Sequence, residues 1–317
     1  MSTTNFTRGG TQTEAFQRLI CSSSGSLVSE SHLELVSFAT VNILLSITAF
    51  LGNSLILVAL HKESSLHRPS KLLYRSLATT DLLVGLIIQP LIVTFVISLV
   101  QEHWVICQYA NTAAYISSIA LCGVSLLTIA AISVDRLLAL LLRLRYRQIV
   151  TFKRTCIIVA SFWVFSLVAA CLYTIFDHRI LYLSTGIIIP LCLIISMASH
   201  IKIFCTLRYH QTKVHDHVQQ HLSQPNALNM ARYKKAVYSA LWVQLAFIVC
   251  YTPYFIVETV IGLSKTFSSQ LIILRRVTIL SVYVNSTLNP FLYLWKISEV
   301  RQAVKQTIRQ ALCCPWS

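Results

Sequence analysis

Apolar runs of roughly 20 residues or more recur along nearly the whole chain, and nothing else in it constrains the fold so strongly. A helix of about that length crosses the hydrocarbon core of a bilayer. Seven runs can be delimited, at about 35–60, 71–98, 108–141, 152–174, 179–208, 232–262 and 271–294. The chain is therefore predicted to be an all-α membrane protein, a seven-transmembrane helix bundle. The third run, and the fifth through the sixth, exceed a bilayer's thickness, so their inner ends are expected to project into water. By length alone 317 residues could make two soluble domains. A composition 55% hydrophobic and 12% charged, with mean hydropathy of +0.66, excludes that.

Charge orients the bundle. Of the 26 Lys/Arg side chains, Arg8, Arg18, Arg179, Lys265, Arg275 and Arg276 fall on one side of the seven runs and the other twenty on the opposite side. By the positive-inside rule the twenty are cytoplasmic and the N-terminus is outside, at the plasma membrane. The formal charge of +15 is then a matter of orientation, and no nucleic-acid partner is expected. Residues 1–34 become an extracellular tail, 35–294 the membrane domain and 295–317 a cytoplasmic segment. The polar, Ser/Thr-rich start shows no signal peptide, so the first helix is expected to direct insertion. Asn5-Phe6-Thr7 is a glycosylation acceptor. Beyond the last run, Trp295, Ile297, Val300, Val304, Ile308 and Leu312 recur at helical spacing with basic residues between them. That pattern predicts a short interfacial amphipathic helix ending at Cys313 and Cys314, candidate palmitoyl sites. The ten cysteines show no CxxC pair or metal spacing. Cys122, Cys156, Cys192 and Cys250 lie within spans and read as small core residues.

Polar residues inside the apolar runs carry the chemistry. The last run contains Asn285-Ser286-Thr287-Leu288-Asn289-Pro290-Phe291-Leu292-Tyr293. Proline removes a backbone hydrogen bond and kinks the helix, and Pro90 in the second run predicts another kink. Amides at that depth call for a polar, watered interior. Asp81, alone in the second run, is either a neutral hydrogen-bonded acid or, among hydroxyl and amide oxygens, a site for a small hard cation. Asn289-Pro290-x-x-Tyr293, Leu77-Ala78-x-x-Asp81-Leu82, Gly52-Asn53, Asp135-Arg136-Leu137, Trp163 and Phe247-x-x-Cys250-Tyr251-Thr252-Pro253 occur one to nearly every run. Taken together they resemble the rhodopsin-like family of G-protein-coupled receptors.

The resemblance implies a set of roles. Asp135, Arg136, Tyr233, Tyr251, Pro253, Asn289, Pro290 and Tyr293 would form the switch that couples to a heterotrimeric G protein. Asp81, Ser125, Asn285 and Asn289 would hold sodium as an allosteric modulator, with Asn53 bracing Asp81 and no other cofactor. Gln89, Tyr115, Ser118, Cys122 and Tyr182 would line a ligand pocket from one side. Tyr251, Tyr254, Phe255, Glu258 and Tyr283 would line it from the other, with Arg275 near the rim.

Departures from the family pattern narrow the reading. Tyr283 stands where a light receptor needs its retinal lysine, which excludes an opsin. Ser118 replaces the aspartate that anchors monoamines. Glu258 is the one acid left high in the pocket, and it either pairs with Arg275 or contacts the ligand. Leu137 and Ala198 replace two activation tyrosines, and Tyr233 replaces the acid that often locks the Arg136 counterpart. Ligand-independent signalling with a modest ceiling is therefore expected. Cys107 lies one turn before the family's usual cysteine position, held here by Asn111, and either pairs with Cys21 or stays free. The very short loop around Asp177-His178 gives a partial likeness to melanocortin, adenosine, cannabinoid and lysophospholipid receptors, although Pro190 and Asn289 depart from the melanocortin pattern. The expected function is a receptor for an extracellular ligand, such as a melanocortin-like peptide, adenosine or an amine, that activates G proteins across the lipid bilayer. A membrane transporter or a non-signalling seven-helix protein is the alternative, but no internal repeat supports a transporter. Within the seven runs no His-x-x-x-His, Glu-x-x-His or Ser/His/Asp grouping falls at one depth, so no enzyme is expected.

Overall fold

The computed structural model describes residues 32–62, 66–142, 145–175, 178–218, 245–261 and 269–296, with 301–302, 304–305 and 308–309 beyond them. No strand occurs among the described residues. The helices are α1 (His32–Lys62), α2 (Arg68–Val100), α3 (Trp104–Leu142), α4 (Phe152–Ile175), α5 (His178–Val218), α6 (Leu245–Ile261) and α7 (Ser269–Lys296). A one-turn helix, Tyr146–Ile149, joins α3 to α4. Among the described residues α1 to α5 are long and apolar enough to cross a bilayer. α6 is shorter as described, and α7 dilutes its apolar residues with Arg275, Arg276 and the run from Asn285 to Asn289. At 1.5 Å per residue, the 39 residues of α3 and the 41 of α5 far exceed the ~30 Å hydrocarbon core.

α3 is the central strut. It packs against α2, α4 and α5, and 56% of its most apolar window is buried. α4 lies at the periphery, with 17% of its window buried. α1 packs on α2 and α7 and closes the other side.

Prolines interrupt α2, α5, α6 and α7, and in α2, α6 and α7 a neighbouring polar side chain takes a carbonyl from the disturbed turn. Pro90 was expected to kink α2; the departure instead takes the form of a π turn at Val84–Ile88, just before the proline. The wider turn accommodates a ring that cannot donate a backbone hydrogen bond. Ser46 of α1 donates to the Gly85 carbonyl at 2.6 Å. That approach needs glycine, because a Cβ on Gly85 would lie 3.0 Å from both the Ala49 Cβ and the Ser46 carbonyl. Pro290 releases the carbonyl four residues earlier, on Ser286, and Asn53 Nδ2 donates to it at 3.1 Å. Gly52 makes room for the same contact, since a Cβ there would meet Pro290 Cγ at 3.0 Å. In α6, Ser281 of α7 donates to the Cys250 carbonyl, three residues before Pro253, at 2.8 Å. Hydrocarbon supplies no hydrogen bonds, so these neighbours satisfy backbone groups that water would otherwise take.

α2 ends in a turn centred on Glu102, whose φ of 57° is left-handed. His103 N donates to the Ser98 carbonyl and Glu102 N to that of Leu99, the paired closure of a helix C-terminus. The turn leads into α3 and to Cys107, which is fully buried and disulfide-bonded. That closes the free alternative; the partner is none of Cys122, Cys156, Cys171, Cys192, Cys205 and Cys250, which form no disulfide.

Candidate functional site

The first of three layers is a polar centre in the middle of the bundle. Asp81 is wholly buried. Asn289 Nδ2 donates to its Oδ2 at 2.7 Å, and Ser125 Oγ to its Oδ1 at 3.4 Å. Ser286, which the sequence reading did not single out, is buried beside the carboxylate. Asn53 does not brace Asp81 by a direct bond; its amide is taken by the Ala49 and Ser286 carbonyls. Asn285 stands one turn before Asn289 on the same face of α7. Neither of its side-chain amide atoms has a hydrogen-bond partner, nor does Asn289 Oδ1, although both residues are buried. Buried polar atoms left unmatched mark a place for a small polar third party, whether water or an ion.

The second layer is a cavity of about 150 Å3 between α3, α4, α5, α6 and α7. Of the expected pocket residues, Tyr115, Ser118, Cys122, Tyr251, Tyr254 and Tyr283 line it. Gln89, Phe255 and Glu258 do not. Gln89 is buried on α2, which does not line the cavity, and its amide has no hydrogen-bond partner. Phe255 follows Tyr254 and projects about 100° further round α6. Glu258, a turn beyond Tyr254, is held by Arg275: Nε donates to Oε1 at 2.7 Å, with 21% and 8% of the two side chains exposed. Arg275 also donates to the Tyr115 hydroxyl at 3.4 Å and lies over that ring at 5.8 Å. Ser118 and Tyr283, each a departure from the family pattern, meet across the bundle with hydroxyls 3.0 Å apart. Tyr251 is buried with its ring 4.8 Å from that of Phe247. The α4–α5 wall of Phe165, Ser166, Ala169 and Ile188, with Gly123 of α3 beside it, was not anticipated. Those residues are unremarkable in the linear chain and become a wall only by packing.

The third layer lies at the other end of α3. Arg136 Nη2 donates to Asp135 Oδ2 at 2.8 Å, and its guanidinium lies 5.7 Å from the centre of the Tyr74 ring. Asp135 also accepts from Ser70 at 2.9 Å and from Tyr146 at 2.6 Å, and is 4% exposed. Burial, with the Asp135 carboxylate beside it, pushes the Tyr146 phenol up to about 12, so it stays protonated and donates. The His67 ring packs on Tyr146 at 5.1 Å. Neither Ser70 nor Tyr146 was expected to clamp Asp135. Ser70 comes from the first turn of α2 and Tyr146 from the one-turn helix, and no local pattern ties either to α3.

Asn5, Tyr233, Cys313 and Cys314 lie outside the described residues, as do the side chains of Tyr182 and Tyr293. Pro253 is exposed on α6, and Pro290 is buried against α1. Val304 is buried while Arg301, Lys305, Ile308 and Arg309 are exposed.

A membrane bundle with a buried acid at its centre, a cavity on one side of it and a clamped Asp-Arg pair on the other has the architecture of a transmembrane receptor. The chain belongs to the 7 transmembrane receptor (rhodopsin family), whose family model matches residues 52–181 and 177–293. It is 26% identical to melanocortin receptor 5 of Mus musculus, covering 85% of this chain and 82% of that protein. The human melanocortin receptor 5 is likewise 26% identical with the same coverage. 5-Hydroxytryptamine receptor 1B of Equus caballus is 25% identical, covering 84% of each. It is thus a multi-pass membrane protein and a signalling receptor, and these relatives are receptors rather than enzymes.

Proposed function

We propose that this receptor sits in the plasma membrane with its N-terminus outside, binds an uncharged ligand in the tyrosine-lined cavity, and passes the signal to a heterotrimeric G protein at the Arg136 end. The observation that carries the ligand reading is the pairing of Ser118 with Tyr283. At the position that would pair an ammonium stands a hydroxyl already bonded to its neighbour. The nearby acid, Glu258, is neutralised by Arg275. Neither an amine, such as 5-hydroxytryptamine, nor a cationic peptide finds a free carboxylate in the cavity lining. Binding there rests on apolar and aromatic burial, at roughly 25 cal/mol per Å2 of apolar surface.

The polar centre fits sodium. Asp81 supplies negative charge, Ser125 a hydroxyl, and Asn285 and Asn289 the unmatched amide oxygens. The ion would contribute positive charge beside a buried carboxylate and favour the inactive arrangement. The chain's own part is to hold α2, α3 and α7 together around Asp81.

The experiment is a G-protein nucleotide-exchange assay on cells expressing the receptor, run against panels of peptides, amines, nucleosides and neutral lipids. Agonists without a cationic centre are expected, with potency lowered by Tyr283→Phe. Activation by cationic amines alone, abolished by Glu258→Gln at unchanged surface expression, would overturn the ligand reading.

A further inference from the structure

The helices around the cavity are not equally close. Among the described residues, α4 and α5 each pack along α3, yet scarcely meet one another. Phe165 and Ala169 of α4 face Ile188 and Ile189 of α5 across the seam that remains, and all four line the cavity. Ile189 is buried at 6% exposure, whereas Phe165, in the same lining, is 51% exposed on the outer face of α4. The cavity therefore runs from the tyrosines inside the bundle to its lipid-facing side. Gly123 keeps the α3 wall of this passage thin: an added Cβ would lie 2.9 Å from Ser166 Oγ, closer than real Cβ atoms approach.

The end toward Arg275 is capped instead. Arg275 stands one turn before Ile279, and Glu258 one turn after Tyr254, about 6 Å beyond two residues of the cavity lining. Their ion pair, with Arg275 drawn onto Tyr115 by hydrogen bond and ring contact, lies across the direct route from water. Tyr115 itself lines the cavity.

We propose that the ligand is an uncharged lipophilic molecule dissolved in the bilayer, which reaches the cavity laterally between α4 and α5, past Phe165 and Ala169. This rests on the reading of the cavity as the ligand site. The cavity specifies the class. No charged side chain lines it among the described residues. Its central hydroxyls, on Ser118 and Tyr283, are bonded to each other. Its volume of about 150 Å3 seats one ring or a few methylenes. The apolar end of the ligand thus lies inside, and the remainder lies in the seam.

The test uses the full-length receptor in phosphatidylcholine nanodiscs with two photoreactive probes. One is hexadecanol bearing a chain-terminal diazirine; the other is a water-soluble quaternary ammonium bearing the same group. The alcohol is expected to label inward positions such as Cys122 and Tyr251. Ala169→Trp, which narrows the seam, and Gly123→Leu, which fills the passage, should each lower that labelling several-fold. Labelling of the outward Val168 should not change, and it reports an intact bundle in each variant. The ammonium probe should leave the inward positions unlabelled. Equal inward labelling in wild type and Ala169→Trp, label confined to outward residues, or inward labelling by the ammonium probe would overturn the lateral route. Nucleotide exchange by added G protein is read on the same nanodiscs. Exchange driven by any agonist without inward labelling by the alcohol sinks the route and spares the receptor reading. Inward labelling sensitive to Ala169→Trp, with no exchange under any agonist, sustains the route and sinks that reading.

Discussion

The Asp81 centre and the cavity beside it are both buried and both draw residues from α3 and α7, yet they treat polarity in opposite ways. At Asp81 the hydrogen bonds do not close: both amide atoms of Asn285 and one oxygen of Asn289 stay unmatched in the interior. In the cavity and at its capped end they do close, with Ser118 on Tyr283 inside, and Glu258 on Arg275 and Arg275 on Tyr115 at the cap. An open set of polar atoms asks for a polar guest. A closed set leaves apolar surface as the chief attraction. The Arg136 end follows the closed pattern at Asp135, whose two oxygens accept from Ser70, Tyr146 and Arg136. Buried polar groups are costly when unpaired, so the degree of closure indicates what each layer is built to receive.

The largest effect is expected from opening a closed set. Glu258→Gln would leave Arg275, only 21% exposed, without its counter-charge, at a cost of about 3 kcal/mol. Thermal unfolding in detergent should show the loss, and the double variant with Arg275→Gln should recover most of it. Identical melting of single variant and wild type would mean the ion pair closes nothing.

Next comes Tyr146→Phe, which removes a bond to a carboxylate worth ~1.5 kcal/mol or more. If that bond helps hold Asp135 against Arg136, agonist-free nucleotide exchange should rise by about tenfold. Tyr233→Glu, which supplies an acid at the inner end of the sixth span, should move it the other way. A basal signal that neither variant changes would separate the clamp from activation.

Asp81→Asn tests the open set. Sodium and agonist are expected to oppose each other by linkage, with a coupling of about fivefold in affinity. Agonist binding measured in sodium against a large organic cation should lose that dependence in the variant. A wild type indifferent to sodium would mean that the unmatched amides hold water alone.

The smallest effect is assigned to Ser281→Ala, which withdraws one donor from the Cys250 carbonyl beside Pro253. A loss of about 1 kcal/mol in thermal stability is expected, without a change in ligand preference. A larger loss, or a shift in basal signal, would place the α6–α7 staple in the switch itself.

The sequence by itself determined the membrane class and the positions of the first five spans. Hydrophobic run length and helical spacing are local properties, and the bilayer fixes how they translate into structure. Asn289 beside Asp81 was legible in the same way, because two polar groups stranded in hydrocarbon at one depth have to find each other. Only tertiary packing decided that Asn53 takes the Ser286 carbonyl rather than Asp81, and that Ser118 finds Tyr283. The same packing set Glu258 against Arg275, clamped Asp135 with Ser70 and Tyr146, and left a seam between α4 and α5. Each of these depends on the rotation of one helix about its axis and its distance from the next. A hydroxyl or amide has several partners of equal chemistry within a turn, and proximity selects among them. An absence of contact, such as the seam past Phe165, has no signature in the chain, because it arises from how both helices lean on α3.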